Sequence, residues 1–269
     1  MPKKAGPREP EANELVVSYM FLRKTVGWIG TLLPIALIAS DLFLPDRPDS
    51  MSGYYYTHMR NVFVGALCAL GVFLVAYAGY DEIDRWITNI AGCCAIGVAF
   101  CPTKPAVCAA AGPACVPPSV SRLTTAQQIV GDVHLVLAII TFTCLGLMAL
   151  RFAKTAPTPP GLRPGRRLAF DLGFDQRRGA RRGTRKERLN VIYHGCGIAI
   201  LGCVALAIAS NFLPARATAS VPLLFIFEAL AVFGFGISWF VKGRTLQTLL
   251  PFLRDSEPAD PGAPAAVLA

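Results

Sequence analysis

Residues 219–241 read ASVPLLFIFEALAVFGFGISWFV, an apolar stretch of transmembrane length in which Glu228 is the one charged residue. A hydrocarbon core of about 30 Å needs roughly 20 apolar residues in a helix. Because a backbone in lipid must satisfy its hydrogen bonds within its own segment, each stretch of this kind is predicted to be a helix. Six are present, with ends given to within a few residues: 25–45, 61–80, 86–103, 127–151, 190–213 and 219–241.

The composition agrees with this prediction. The chain has 269 residues, of which 54% are hydrophobic and only 16% are charged, and its mean hydropathy is +0.48. Soluble globular domains carry about 25% charged residues, so these values exclude an ordinary soluble domain. We expect an all-α fold, a polytopic transmembrane helical bundle with six spans.

The basic residues predict the orientation of the bundle. With a cytoplasmic N-terminus, twenty-one of the 26 Lys and Arg residues fall on the inner side of the six predicted spans. This asymmetry is the positive-inside pattern of membrane proteins. We therefore expect both termini to be cytoplasmic. The Ala, Arg, Gly and Pro usage favours a bacterial chain, which places this multi-pass protein in the inner (cytoplasmic) membrane.

The chain divides into three parts. Residues 1–24 form a cytoplasmic tail with a short interfacial helix, 25–245 form the transmembrane domain, and 246–269 form a disordered cytoplasmic tail. Within the domain, an outer loop at about 104–125 carries cysteines and an inner loop at about 152–189 is strongly basic. The basic loop is explained by topology, and its expected partners are membrane lipids with anionic headgroups. Nucleic acid is not expected, because no aromatic residues alternate with the arginines.

Two of the nine cysteines, Cys108 and Cys115, lie in the outer loop. In an oxidising compartment they are expected to form a disulfide. Neither a CxxC pair nor a Cys/His ligand spacing accompanies them, so no metal and no cofactor is predicted.

Polar residues gather at the predicted outer ends of the helices, next to the tyrosine triplet at 54–56. One interpretation is an outward-facing polar pocket. The other is purely structural: Ser52 or Asn61 caps the second helix, and Arg60 pairs with Asp132 or Asp41. The candidate pocket residues are Asp41, Ser52, His58, Arg60, Asn61, Asp132, His134 and Glu228.

Glu228 is the deepest ionisable residue, about eight residues and hence about 12 Å into the last helix. A charge in lipid costs about 2.5–3.5 kcal/mol on insertion scales, so its presence needs a reason. It is either a proton- or cation-linked carboxylate that faces a cavity, or a hydrogen-bonded clamp within the bundle.

A third polar group lies on the predicted inner side, where basic residues dominate. Its acids are expected to pair with the arginine-rich loop or with Lys242 and Arg244, and a cytoplasmic cation site is the alternative. The group consists of Asp81, Glu82, Asp84 and His194.

Several stretches resemble an uncharacterised family of bacterial six-span integral membrane proteins. The resemblance covers most of the membrane domain and implies architecture only, without an activity. The stretches are SGYYYT (52–57), MRNVFVG (59–65), VHL (133–135), NVIY (190–193) and GISWFVKG (236–243).

The three histidines, with Ser52 and Asp132, are similar in type to the zinc ligands and partners of the alkaline ceramidase and adiponectin-receptor superfamily of seven-span proteins. The predicted topology places His58 and His134 near one membrane face and His194 near the other, roughly 20–30 Å away. Zinc–nitrogen bonds are about 2.0–2.1 Å long, and the paired histidines of that superfamily's last helix are missing.

The sequence therefore favours a non-enzymatic membrane protein that binds a lipid or small apolar ligand, or that serves as a partner subunit. The alternative is a membrane-embedded hydrolase of the ceramidase type, or a small proton-linked transporter that uses the outward-facing pocket.

Overall fold

The computed structural model describes residues 9–43, 48–77, 79, 81–107, 115–116, 123–154, 185–210 and 222–243. These contain six α-helices, which confirms the predicted all-α class. The helices are α1 (Glu9–Ser40), α2 (Arg60–Val75), α3 (Glu82–Phe100), α4 (Thr125–Lys154), α5 (Arg185–Ser210) and α6 (Leu223–Lys242). A five-residue 3-10 helix, Ser52–Tyr56, precedes α2. Two short parallel strands, β1 (Ala106–Val107) and β2 (Cys115–Val116), pair between α3 and α4.

Four helical segments of the described chain are long and apolar enough to cross a membrane: Phe21–Ser40, Thr125–Lys154, Leu189–Ser210 and Leu223–Lys242. The two remaining helices fall short for different reasons. α2 is apolar but has only 16 residues, about 24 Å of helix against a hydrocarbon core of about 30 Å. α3 has 19 residues and begins with charged side chains, including Glu82 and Asp84.

The helices form a ring. Each helix packs against the next one along the chain as far as α4 and α5, and α6 closes the ring by packing against both α5 and α1. The short connection between α2 and α3 makes these two helices neighbours. Their backbones approach closely at Gly71, where an added Cβ would lie 2.7 Å from the carbonyl oxygen of Gly92. Small residues at such contacts are what lets membrane helices approach.

The first helix begins earlier in the chain than the predicted span 25–45. α1 is one continuous helix of 32 residues, so the predicted interfacial helix is part of α1 and not a separate element. Pro34 lies inside α1, and the helix continues past it to Ser40. The chain ends at 1–8 and 244–269, the basic segment 155–184 and Cys108 lie outside the described residues, so the predictions made for them stay predictions.

Trp239 of α6 is the centre of the aromatic core. Its side chain is fully buried, and its ring meets those of Tyr77 and Phe152 edge to face, with centroids 4.9 and 5.3 Å away. Edge-to-face aromatic pairs of this kind contribute about 0.5–1.5 kcal/mol beyond the area they bury. The contacts join α6 to α4 and to the end of α2.

An ion cluster joins α3 to α4. Asp81 caps the N-terminus of α3, since its carboxylate accepts the N–H of Asp84 at 2.8 Å. Arg151 of α4 then donates to the fully buried Asp84 and, at 2.5 Å, to Asp81. The expectation that these acids pair with the basic loop, Lys242 or Arg244 had overlooked Arg151. Its guanidinium forks between the two carboxylates, as planar guanidinium groups favour.

We predict that Asp84→Asn lowers the free energy of unfolding by about 1.5–3 kcal/mol, the contribution of a hydrogen bond to a charged group. Thermal unfolding of the detergent-solubilised full chain measures the effect. Glu82→Gln is the matched control, because the Glu82 side chain is 84% exposed and only approaches Arg85 at 3.6 Å. Equal midpoints for the two variants would contradict a role of the buried pair in stability.

Candidate functional site

The described helices surround a small cavity of about 40 Å³ that is open on one side to the surroundings. Side chains of α1, α2, α3, α4 and α6 line it, together with the segment before α2. The lining is apolar except for Ser52, Thr141 and Glu228. The Thr141 hydroxyl donates to the carbonyl of Leu137 in its own helix, at 2.8 Å.

The segment that closes one end of this cavity is residues 48–57, here called the cap. It contains the 3-10 helix, and its residues Met51 and Ser52 line the cavity. The ring of buried Tyr54 packs against Phe225 of α6, with centroids 6.0 Å apart. The Tyr54 hydroxyl donates to the carboxylate of Asp41 at 2.5 Å. The cap is thus tied to the end of α1 and to the start of α6.

Glu228 provides the polar contact between the cap and α6. Its Oε2 accepts the backbone N–H of Met51 at 2.6 Å, and the N–H of Ser52 interacts with the same carboxylate. A second bond to α6 runs from the N–H of Phe225 to the carbonyl of Asp49, at 3.0 Å. Glu228 also lines the cavity, so its carboxylate both clamps the cap and borders the apolar space. The structure thus shows the hydrogen bonding of one interpretation and the cavity of the other, whereas linkage to a proton or a cation stays a prediction.

Tyr56 fastens the other end of the 3-10 helix. Its hydroxyl donates to the carbonyl of Thr103 at 2.6 Å, which joins the cap to the segment after α3. Burial raises the pKa of Tyr56, and the neighbouring Tyr55 hydroxyl raises it further. The hydroxyl therefore keeps its proton, and its role as donor, at neutral pH.

Of the eight candidate pocket residues, Ser52 and Glu228 meet at the cavity and Asp41 supports the cap. Arg60 lies instead over the ring of Tyr55, 4.2 Å from its centroid, and donates to the Tyr55 hydroxyl at 2.6 Å. His58 and Asn61 are exposed.

Two remaining candidates lie on α4, outside the cavity lining. Asp132 forms an exposed ion pair with Lys104 at 2.6 Å. His134 is buried, and its Nδ1 lies 2.5 Å from the carbonyl oxygen of Cys101. Both side chains therefore hold the segment after α3 against α4.

The structural alternative made from the sequence was wrong in its partners. Arg60 binds Tyr55, and Asp132 binds Lys104, so Arg60 does not pair with Asp132. The N-cap of α2 is Met59, without a capping side chain, so neither Ser52 nor Asn61 fills that position. Ser52 is the first residue of the 3-10 helix, so that helix and the turn after it separate Ser52 from α2. Asn61 lies inside α2, past its N-cap.

The described residues offer no group of three or more His, Cys, Asp or Glu side chains that could hold a metal ion. The histidines are used locally: His194 has its Nδ1 2.8 Å from the carbonyl oxygen of Asn190, one turn back in α5. The zinc constellation of the ceramidase type is therefore not assembled by this part of the chain.

Sequence reasoning missed the backbone of Met51, and it missed the apolar wall that α4 contributes through Phe142 and Leu145. Backbone donors leave no mark in a sequence. The wall was hidden because the middle of α4 is apolar on every side, so hydropathy does not distinguish its cavity side from its lipid side.

Comparison of the chain with protein-family models, with curated proteins and with solved structures gives no match. The family resemblance of the quoted stretches therefore stays an expectation.

We predict that Glu228→Gln leaves folding and membrane insertion nearly intact, because the amide oxygen still accepts the Met51 N–H. Glu228→Leu removes the acceptor and is expected to cost about 1–3 kcal/mol, the price of a buried unsatisfied donor. The amount of inserted protein and its thermal unfolding midpoint measure both variants. A Gln variant that loses as much folded protein as the Leu variant would show that the negative charge itself holds the cap.

Proposed function

We propose that this chain is a multi-pass membrane protein that binds a lipid chain or another small apolar molecule in the cavity between its helices. The supporting observation is the lining, in which the described side chains are apolar except for those of three residues. Binding sites for small molecules are typically concavities with mostly apolar walls and a few polar groups that fix the orientation of the ligand. An apolar ligand that enters such a space from water is stabilised by burial of its apolar surface.

A small transporter is the second candidate, and one observation favours it. Glu228 borders the cavity, and none of the ion pairs among the described residues involves it. Ionisable groups inside a membrane protein commonly mark a pathway for an ion or substrate. The hydrolase alternative has less support, because Thr141 is bonded within its own helix and Ser52 has no base within the described cavity other than Glu228.

The proposal includes six spans, both termini in the cytoplasm and the inner membrane of a bacterium. α2 and α3 pack within the same ring as the four long apolar helices, which supports counting them as spans. The distribution of Lys and Arg along the sequence supports the orientation. Anionic lipid headgroups are the proposed partners of the basic loop.

Reporter fusions test the topology. A periplasm-dependent phosphatase is expected to be inactive when fused at residue 170 or at the C-terminus, and active at residue 110. Fusion at residue 80 distinguishes the span counts: the connection between α2 and α3 is cytoplasmic with six spans, and periplasmic if only the four long helices cross. Phosphatase activity at residue 80 or 170 would overturn the proposed arrangement.

Photolabelling tests the cavity. An apolar diazirine probe, added to the full chain in nanodiscs, is expected to label Phe142 and Leu145 in addition to lipid-facing residues such as Val136. Ala138→Leu fills part of the cavity and is expected to reduce the labelling of Phe142 and Leu145 several-fold. Ala199→Leu, at an exposed position of α5, is the matched control and should leave the labelling unchanged.

Two labelling results would refute the binding of an apolar molecule in the cavity. Labelling confined to lipid-facing residues in the wild type, or reduced equally by both substitutions, would mean that the cavity takes no apolar molecule.

A further inference from the structure

The charge of the cavity is concentrated at one point. Among the described residues that line it, Glu228 is the one with an ionisable side chain, and the other polar groups are the hydroxyls of Ser52 and Thr141. An ionised carboxylate in apolar surroundings is costly unless a cation or several hydrogen bonds compensate it. The ligand chemistry that suits this cavity therefore depends on how far the protein compensates Glu228.

The protein compensates the negative charge of Glu228 in part. The N–H groups of Met51 and Ser52 interact with the carboxylate, whereas a carboxylate has about four positions that can accept a hydrogen bond. Two backbone dipoles contribute partial charges and not a full positive charge. The remaining acceptor positions belong to a group that borders the cavity.

The neighbouring basic side chains are occupied elsewhere. Arg60 is held on Tyr55, and Lys104 is paired with Asp132. Across the described residues, no Lys, Arg or His forms an ion pair with Glu228. The described part of the chain therefore places no positive side chain next to this carboxylate, and a cationic ligand would supply one.

We propose that the cavity binds the head of a single-chain lipophilic amine, with its ammonium group against Glu228 and its hydrocarbon chain extending along the apolar walls through the open side. This inference rests on the apolar binding function proposed above and adds the charge of the ligand. An ammonium group has three donors and a full charge, so it neutralises the carboxylate and reaches the Ser52 hydroxyl on the same wall. A fatty acid would place a second negative charge beside Glu228. A phospholipid would bring a phosphate there, while an alcohol would donate one hydrogen bond and leave the charge uncompensated.

The test uses three competitors with the same chain and different headgroups: decylammonium, decanol and decanoate. Each displaces the diazirine probe from the full-length protein in phosphatidylcholine nanodiscs. The measured quantity is the labelling of Phe142 and Leu145 relative to that of lipid-facing Leu135 and Val136, which corrects for the partitioning of each competitor into the bilayer. We expect decylammonium to displace the probe at an about tenfold lower concentration than decanol, the effect of one charge-assisted hydrogen bond, and decanoate to be the weakest.

Two variants separate recognition by Glu228 from general attraction of cations. Glu228→Gln is expected to remove the advantage of decylammonium over decanol. Asp132→Asn removes the same formal charge from an exposed ion pair outside the cavity and is expected to keep that advantage. Loss of the advantage in both variants would overturn the proposal.

If the Glu228→Gln variant does not fold, the competition experiment on the wild-type protein still tests the proposal. Equal displacement of the probe by the three competitors, with clear labelling of Phe142 and Leu145, would be consistent with apolar binding but would refute the preference for an amine. Failure to label these two residues at all would refute the binding function itself.

Discussion

The hydrogen bond from the Met51 amide to the Glu228 carboxylate is the contact on which the arrangement of the cap and the cavity depends. It joins residues 177 positions apart in the sequence and holds the cap on α6. The interaction lies beside apolar walls, where a buried donor without an acceptor costs about 1–3 kcal/mol. The carboxylate and the cap therefore stabilise each other, and Glu228 is the ionisable residue among the described residues that line the cavity.

The ion cluster of α3 and α4 uses the same physics at another place in the bundle. Asp84 is fully buried, and Arg151 provides the charge that makes this burial tolerable. A pair of this kind contributes little beyond what well-packed apolar residues would, but loss of one partner leaves an uncompensated buried charge. The contrast with Glu228 is informative, because there the protein provides backbone donors and no cationic side chain among the described residues.

The polar residues around the cap serve mainly to fasten segments together. Tyr54 binds Asp41, Tyr56 binds the carbonyl of Thr103, and Lys104 binds Asp132. These contacts connect the cap to α1, and the segment after α3 to the cap and to α4. They leave Glu228 and Ser52 as the candidate pocket residues that border the cavity, which narrows the chemical argument to a carboxylate, a hydroxyl and apolar walls.

The sequence by itself determined the all-α class and the approximate positions of the six helices, because apolar runs of about 20 residues with few charges have few other structures available in lipid. It also identified Glu228 as a residue whose position has to be explained, since an isolated acid in such a run has a high free-energy cost. Only the tertiary structure decided the partners. Lys104–Asp132 and Asp84–Arg151 span 28 and 67 residues, and such pairs form only when each helix has a particular rotation about its own axis. Helices that are apolar on every side carry little record of that rotation, so the packing of the ring decides which side faces the cavity.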